Sequence, residues 1–298
     1  MKVNITVVTH NRLELTKRCL QSLLEKTIGK FCVTVVDNAS ADGTRQYLKE
    51  MERQHPNLKA FFLHSNMGVA VAANLGWAQV ESDYYVKLDN DIEIMDGAWL
   101  ERLLSIAENS KTVAMVGYQL LNWHCEKELI TLENGHKFIL SDLCNGGCVL
   151  IPRHAHNALG FWIEDHGKYG YEDKNYSDRA RAAGYLIGYV PAAPLPVLHL
   201  GFEDGHIDDG REQAKQDNVK SRMQGEHLYV FNKLLFDKGI RGLRVERRYL
   251  PLFDGERVRF RANPAYASII KIQQNFLDKI SYQAQGDTIS VAIANTHP

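Results

Sequence analysis

The first ninety or so residues alternate between short β-branched apolar runs and helical runs, with a short polar loop at each change. Four apolar runs predict strands over residues 3–9, 31–36, 58–63 and 84–88. Helices are predicted between them over 11–28, 44–54 and 70–79, the first with Asn11 and Glu14 as a capping box. This alternation is typical of an α/β protein with a mostly parallel sheet, helices on both faces and a site at the strand carboxyl ends.

The pattern changes in the last third of the chain. A helix over 98–107 and a strand over 112–117 continue the first part. After Gly201 we predict a long helix over 212–235, short strands and turns around Pro251, a helix over 265–283 and a strand over 288–294. We therefore expect a core domain of residues 1–205 and a C-terminal α+β extension of residues 206–298.

Composition limits the classes of protein that fit. The 298 residues are 24% charged and 45% apolar, which is typical of a globular protein, and the formal net charge of −1 gives the whole molecule no electrostatic attraction to nucleic acid. Five cysteines, an odd number, fit a reducing compartment, and we expect Cys144 and Cys148 to be free thiols rather than metal ligands. The chain starts without a leader-like segment, and its longest apolar stretch is interrupted by prolines. We expect a cytoplasmic location, with peripheral association at a membrane left open.

The fourth predicted strand ends in two carboxylates, Asp89 and Asp91. In extended backbone, side chains two residues apart point to the same side, so both could converge on one ligand. Two carboxylates at the end of an α/β strand suit a divalent cation that also carries phosphate oxygens. The alternative is an ordinary turn, in which Asp and Asn side chains bond the nearby backbone. Both interpretations remain open at this point.

Four motifs in order resemble one enzyme family. No glycine-rich phosphate loop follows the first strand, where the turn is Thr9-His10-Asn11-Arg12. The other motifs are Val35-Val36-Asp37-Asn38-Ala39-Ser40-Ala41-Asp42-Gly43-Thr44, Asn66-Met67-Gly68 with Asn74, and Leu88-Asp89-Asn90-Asp91. Over about residues 3–205 the sequence resembles a family 2 glycosyltransferase. That resemblance implies the GT-A fold, in which a Rossmann-like sheet binds a nucleotide sugar. It also implies that the sugar is transferred with inversion at the anomeric carbon.

The resemblance implies a set of donor-binding residues. They are Thr9, Asn11, Arg12, Asp37, Asp42, Asn66, Gly68, Asn74, Asp89, Asn90 and Gly147. For two of them a structural alternative stays open. Asp42 could cap the helix that follows Gly43, and Gly68 could serve only a turn.

The resemblance also implies a metal site and a base. Asp89 and Asp91 match the family's DXD motif, which holds Mn²⁺ or Mg²⁺, and His199 is expected as a further ligand with His206 as its competitor. Asp173 matches the catalytic base, while Glu172 would orient the acceptor or serve as the base itself. The alternative is a helix N-terminus enriched in acids by the helix dipole.

Together these features predict a metal-dependent inverting glycosyltransferase that moves a sugar from a UDP- or dTDP-sugar, with GDP left open, to a hydroxyl group. The alternative function is a non-catalytic nucleotide-sugar-binding subunit of a glycan assembly complex. Residues 241–261 contain seven arginines and three acids, a net charge of +4. They could bind an anionic acceptor, such as a lipid-linked glycan, a phosphate-containing polymer or DNA, or they could form a salt-bridged face.

Overall fold

The computed structural model describes residues 1–120, 126–200, 211–277, 280–285 and 288–293. In this part of the chain the strands are β1 (Val3–Thr9), β2 (Cys32–Asp37), β3 (Leu58–Leu63), β4 (Tyr84–Asp89), β5 (Ile92–Ile94), β6 (Val113–Gly117), β7 (Lys127–Thr131), β8 (Lys137–Ser141), β9 (Cys148–Pro152), β10 (Leu186–Tyr189), β11 (Val197–His199), β12 (Tyr249–Asp254), β13 (Arg257–Ala262), β14 (Ile280–Gln285) and β15 (Thr288–Ile293). The helices are α1 (Leu13–Lys26), α2 (Thr44–Gln54), α3 (Val69–Gln79), α4 (Trp99–Ala107), α5 (Arg153–Leu159), α6 (Glu172–Ala182), α7 (Arg211–Asp237) and α8 (Ala267–Leu277).

One sheet of 11 strands organises the fold, in the order β12-β13-β3-β2-β1-β4-β9-β6-β10-β8-β7. Strands β13, β3, β2, β1 and β4 run parallel, so their carboxyl ends share one edge of the sheet. Strand β9 runs antiparallel to β4 and brings the start of its own strand to that same edge. The α/β class and the sheet with helices on both faces are confirmed.

Two hydrophobic cores lie on opposite faces of the sheet. One contains buried side chains of α1, α2 and α4, and the other contains those of α3, α5 and α6. Helix α3 is rich in small residues because it packs closely on β1: a Cβ added to Gly76 would lie 2.4 Å from Cγ2 of Thr6. Because both faces of the sheet are closely packed, the strand ends that carry the candidate site are held in place.

Two predicted elements differ from the structure. The capping box at Asn11 is wrong, because Asn11 and Arg12 have positive φ angles of 54° and 64° and α1 begins at Leu13. The Leu13 N–H instead donates to Oδ2 of Asp42, at 2.9 Å. The predicted helix over 265–283 is also wrong in its second half, where α8 ends at Leu277 and β14 follows.

The C-terminal extension is built onto the same sheet. The β12–β13 hairpin pairs with β3, and Arg257 lies opposite Phe62 in that register. The division at residue 205 stays a prediction. Cys144 and Cys148 are buried and form no disulfide. Among the described residues, no helix is both long enough and apolar enough to cross a bilayer.

Candidate active site

Asp91 lies at the shared edge of the sheet, in the turn that follows β4. The strand ends at Asp89, and Asn90 and Asp91 form the turn, so the two carboxylates are not related by extended backbone. Oδ2 of Asp91 lies 3.0 Å from Nη1 of Arg12, and Oδ1 lies 3.8 Å from Nε2 of His199. That Oδ1 is buried and has no hydrogen-bond partner within the described part of the chain. It is therefore an oxygen available to a ligand.

Asp89 forms an ion pair with a buried lysine that the motif did not indicate. Lys87 precedes it by two residues on β4 and is only 3% exposed, and its Nζ forms an ion pair with Oδ1 of Asp89. Although burial opposes it, the Asp89 carboxylate raises the pKa of Lys87, so the amine stays charged. Burial raises the pKa of Asp89, and the Lys87 charge opposes that rise. In the sequence, the sign that this residue belongs to the site was a single lysine within an otherwise uncharged strand segment.

A turn of two glycines joins this edge to the predicted base. The Asp89 N–H donates to the Gly147 carbonyl at 2.8 Å, and the Gly146 N–H donates to Oδ2 of Asp173 at 3.0 Å. A Cβ on Gly146 would lie 2.7 Å from Cη2 of Trp162, so the turn has no room for a side chain there. The backbone of this turn therefore sets the separation between the acidic edge and Asp173.

Glu172 and Asp173 open helix α6. Oδ1 of Asp173 accepts a hydrogen bond from the Lys174 N–H at 2.7 Å, so backbone donors hold both of its oxygens. Burial, followed by the charge of Asp173, raises the pKa of Glu172 to about 7. The two neighbouring carboxylates are therefore placed in different environments. Glu172 changes its charge near neutral pH.

Asp37 forms the other end of the candidate site, where β2 ends. It is fully buried, and its Oδ1 accepts a hydrogen bond from the Ser40 N–H at 3.1 Å. Its Oδ2 lies 3.6 Å from Nε of Arg45 and has no hydrogen-bond partner in the described ranges. Arg45, which the sequence motifs did not indicate, supplies the positive charge beside this carboxylate.

Several predicted donor-binding residues form hydrogen bonds that hold the loops of the site in place. Nδ2 of Asn90 donates to the hydroxyls of Thr9 and Thr16, at 3.2 and 3.0 Å. Oδ1 of Asp42 accepts from the Thr44 N–H at 3.1 Å, in addition to the Leu13 bond of its other oxygen. For Asp42 the structure thus supports the helix-capping alternative.

The loop before α3 combines a turn with a close approach. Gly68 has a φ of 90°, and a Cβ there would lie 2.7 Å from Cα of Lys168. Oδ1 of Asn66 accepts from the Gly68 N–H at 3.0 Å, and Nδ2 of Asn38 donates to the Gly68 carbonyl at 3.1 Å. Oδ1 of Asn11 accepts from the backbone of the neighbouring loop. The positive φ of Gly68 and the close approach of the Lys168 backbone both require glycine at this position.

Asn74 hydrogen-bonds the segment that follows α5. It is fully buried, and its Nδ2 donates to the Trp162 carbonyl at 2.8 Å and to Oε1 of Glu164 at 2.9 Å. Its Oδ1 accepts from the Trp162 N–H at 3.0 Å. The amide is fully used within the protein, so the structure places Asn74 in support of the segment that leads to α6.

The side chains at this edge of the sheet are suited to bind a divalent cation, although the described residues do not form a complete set of ligands. The described residues hold no group of three or more His, Cys, Asp or Glu side chains gathered as a metal site. Oδ1 of Asp91 and the imidazole of His199 offer one oxygen and one nitrogen, and a divalent cation held there would complete its coordination with ligand oxygens and water. His206 lies outside the described residues.

Sequence comparison agrees with this geometry. Residues 4–137 match the profile of glycosyl transferase family 2. A putative teichuronic acid biosynthesis glycosyltransferase, TuaG of Bacillus subtilis, is 25% identical over 119 residues, which is 40% of this chain and 47% of that protein. An uncharacterized glycosyltransferase of Haemophilus influenzae is 21% identical over 252 residues, covering 79% of this chain and 76% of the other. The chain thus spans about half the length of the first relative.

Structural comparison supports the same fold. The mannosyltransferase PcManGT of Pyrobaculum calidifontis, solved with GDP-Man and Mn²⁺, superposes with a TM-score of 0.55 at 18% identity and covers 92% of this chain and 69% of that one. This likeness shows that the chain has the GT-A fold. Over residues 4–137 the chain carries a glycosyl transferase family 2 domain, and the resemblance seen in the sequence is confirmed.

Proposed function

We propose that this protein transfers a sugar from a nucleoside diphosphate sugar to a hydroxyl acceptor with inversion at the anomeric carbon. The acceptor oxygen attacks that carbon and forms the new glycosidic bond. The bond to the diphosphate breaks, and its electron pair leaves on the nucleoside diphosphate. The acceptor proton passes to a carboxylate of the protein. One displacement without a covalent sugar–enzyme intermediate gives inversion.

The observation that carries this proposal is the Gly146–Gly147 turn. Its backbone bonds Asp89 on one side and Asp173 on the other, so two residues without side chains join the acidic edge to a fixed carboxylate. A base held by two backbone N–H donors is already oriented before substrate binds, which lowers the cost of reaching the reactive geometry. Asp173 is the proposed base, and Glu172 lies next to it to orient the acceptor.

The remaining residues serve the donor. Asp37 and Arg45 would receive the nucleoside, Arg12 would contact the diphosphate, and Asp91 with His199 would hold Mn²⁺ or Mg²⁺. When bound, the cation offsets negative charge on the diphosphate. The neighbour PcManGT was solved with GDP-Man, so the donor panel includes GDP-sugars beside the UDP- and dTDP-sugars expected from the sequence.

Binding is the first experiment. Thermal unfolding is measured with UDP-glucose, UDP-N-acetylglucosamine, dTDP-rhamnose and GDP-mannose, each with Mn²⁺ or with EDTA. A donor at about 100 times its Kd should stabilise the folded protein by about 2.7 kcal/mol. We expect one nucleotide class to do so only with the cation. Absence of any such shift would count against the proposed function.

The base is tested with Asp173→Asn, and the matched control is Asp254→Asn at the exposed end of β12. Loss of base assistance should lower the turnover of sugar transfer or of donor hydrolysis by about 10²–10⁴-fold while donor affinity stays unchanged. Full turnover in Asp173→Asn together with a large loss in Glu172→Gln would move the base to Glu172. A protein that binds the donor but shows neither transfer nor hydrolysis would instead be the non-catalytic subunit.

A further inference from the structure

Tyr229 of helix α7 brings the C-terminal extension into contact with the start of helix α6. The residue is 8% exposed, and its ring stacks on the ring of Tyr171 with 5.4 Å between centroids and an interplanar angle of 23°. Its hydroxyl donates to Oδ2 of Asp178 at 2.5 Å, and Nζ of Lys174 lies 5.3 Å from the centre of its ring. One side chain of the extension therefore contacts three residues of this segment.

The three residues that Tyr229 contacts share one face of α6. Tyr171 is the N-cap of the helix, and Lys174 and Asp178 follow it by three and seven residues, a spacing that repeats on one side of an α-helix. Nζ of Lys174 also lies 3.9 Å from Oδ1 of Asp178. Tyr229 therefore lies along the first two turns of α6 and connects the start of the helix to its second turn.

The backbone of Tyr171 is strained and needs support from its surroundings. Its φ is 67°, a left-handed conformation that a residue with a side chain adopts only at a cost in free energy. Glu172 and Asp173 are the next two residues, so this conformation sets the direction in which α6 starts. A change of Tyr171 to a negative φ would move Asp173 away from the Gly146 N–H that donates to it.

Helix α7 comes closest to this segment at Gly225, one turn before Tyr229. A Cβ added to Gly225 would lie 2.7 Å from the carbonyl oxygen of His166 and 3.7 Å from Cδ2 of Tyr171. Glycine is unfavourable inside a helix, and here the close approach of the His166 backbone requires it. The His166 ring also meets the Tyr229 ring edge-on, with 6.0 Å between centroids. These contacts hold Tyr229 against Tyr171.

We propose that Tyr229 is a positioning residue for sugar transfer, which holds the start of α6 through its stack on Tyr171 and so keeps Asp173 oriented to take the acceptor proton. This inference rests on the proposed function, in which Asp173 is the base. Tyr229 acts through Tyr171 and contributes no group to the reaction. Its effect should be on turnover and not on donor affinity, because the proposed donor-binding carboxylates lie at the ends of β2 and β4.

The test compares Tyr229→Leu and Tyr229→Phe with the matched control Phe231→Leu. Phe231 also lies on α7 and also stacks on a ring, that of Phe276, with 4.4 Å between centroids. Turnover and KM are measured with the nucleotide sugar that stabilises wild type in the thermal screen. In Tyr229→Leu turnover should fall by about 10- to 10²-fold while KM stays within about twofold of wild type. Tyr229→Phe keeps the stack, and both it and Phe231→Leu should keep turnover within about threefold of wild type.

Amide hydrogen exchange gives a second readout that does not depend on catalysis. The amides of residues 172–176 should exchange faster in Tyr229→Leu than in wild type and Phe231→Leu, because the start of α6 has lost its support. If Tyr229→Leu fails to fold, Tyr171→Leu removes the same stack from the other side and should show the same loss of turnover.

Wild-type turnover in the variants without the stack, or an equal loss in Phe231→Leu, would overturn the inference while the proposed function stands. A fall in turnover without faster exchange at the start of α6 would overturn it as well. A wild type that turns over no nucleotide sugar would overturn the proposed function, and with it the role inferred for Tyr229.

Discussion

Arg241 and Asp165 form an almost completely buried ion pair, with 2.5 Å between Nη1 and Oδ2, that joins the C-terminal extension to the segment before α6. The guanidinium also donates to Oδ1 of Asn232 and to the hydroxyl of Tyr266, each at 2.7 Å. Nε2 of Gln273 donates to Asp165 at 2.8 Å. Residues of α7, α8 and the segment between them therefore fix the chain that carries the proposed base.

The arginines of residues 241–261, whose role the sequence left open, fall into two groups. Arg247 lies 3.6 Å from Glu164 and Arg248 lies 3.5 Å from Asp165, and both acids are buried. With Arg241 these arginines form internal ion pairs, as the salt-bridged alternative states. The arginines of β13 are different, because Arg257, Arg259 and Arg261 are exposed.

Replacing Arg241 with Met should lower the free energy of unfolding by about 3–5 kcal/mol, because Asp165 would keep a buried charge without its main partner. Urea unfolding at neutral pH measures the change. The control is Arg261→Met on the exposed face of β13, which should lie within about 0.5 kcal/mol of wild type. Similar stability of both variants would show that the buried pair does not hold the extension in place.

The strands and helices of the first ninety residues could be predicted from the sequence because each buried run has a local period. Strands β1 and β3 and helix α2 have the predicted bounds. Side-chain direction at the strand ends could not be predicted, since the chain turns at Asn90 and Asp91 instead of continuing extended. Local pattern cannot show where such a turn points its carboxylates.

Long-range partners explain the other differences between prediction and structure. Asn74 bonds Glu164, which is 90 residues away, so its buried supporting position is invisible in the motif that contains it. Asp42 caps the start of α1 across 29 residues, which leaves no trace in the local sequence of that helix. The acidic edge was readable because its residues lie at strand ends. The partners of those carboxylates could not be predicted, because Asp89 pairs with Lys87 and Asp91 pairs with Arg12.

Gly146→Ala should damage both stability and turnover. The added methyl group would lie 2.7 Å from Cη2 of Trp162 and 3.4 Å from Cβ of Asp173, so the ring or the turn must shift. We expect a loss of about 1–3 kcal/mol in the free energy of unfolding, typical of overpacking. Turnover should fall by about 10²-fold, because small displacements of a catalytic group are costly.

The matched control is Gly242→Ala, where an added Cβ meets no atom within 4 Å. Denaturant unfolding and the turnover of the donor that binds in the thermal screen measure both effects. Wild-type turnover in Gly146→Ala would mean that the turn does not set the position of Asp173.

His156 should make the protein sensitive to acid. Its ring is packed against Tyr85 and Phe161, with centroids 4.6 and 4.9 Å away, and burial together with the charge of Arg244 lowers the pKa of His156 from 6.5 to about 4. Between about pH 6.5 and 4, His156 is therefore protonated in the unfolded chain and neutral in the folded protein. Stability contributed by the neutral ring is present above pH 6.5 and is lost as the pH falls through this window.

His156→Phe keeps an aromatic ring and removes the titration. Between pH 7 and pH 4.5 the variant should lose less free energy of unfolding than wild type, by at most about 3 kcal/mol. His136→Phe, at an exposed position, is the control and should follow the wild-type curve. Parallel curves for wild type and His156→Phe would contradict the prediction.

Glu172 should have the opposite dependence on pH. Burial and the charge of Asp173 raise its pKa from 4.5 to about 7, so the folded protein holds a proton that the unfolded chain has released between these values. Stability is therefore full below about pH 4.5 and is lost as the pH rises through 7. Glu172→Gln removes the charge and should be more stable than wild type at pH 8 by at most about 3 kcal/mol, with little difference at pH 4.5. Urea unfolding in EDTA at both pH values measures this, with Glu128→Gln on exposed β7 as the control. An advantage of equal size at both pH values would show that the gain comes from packing and that Glu172 is not held near neutrality by its surroundings.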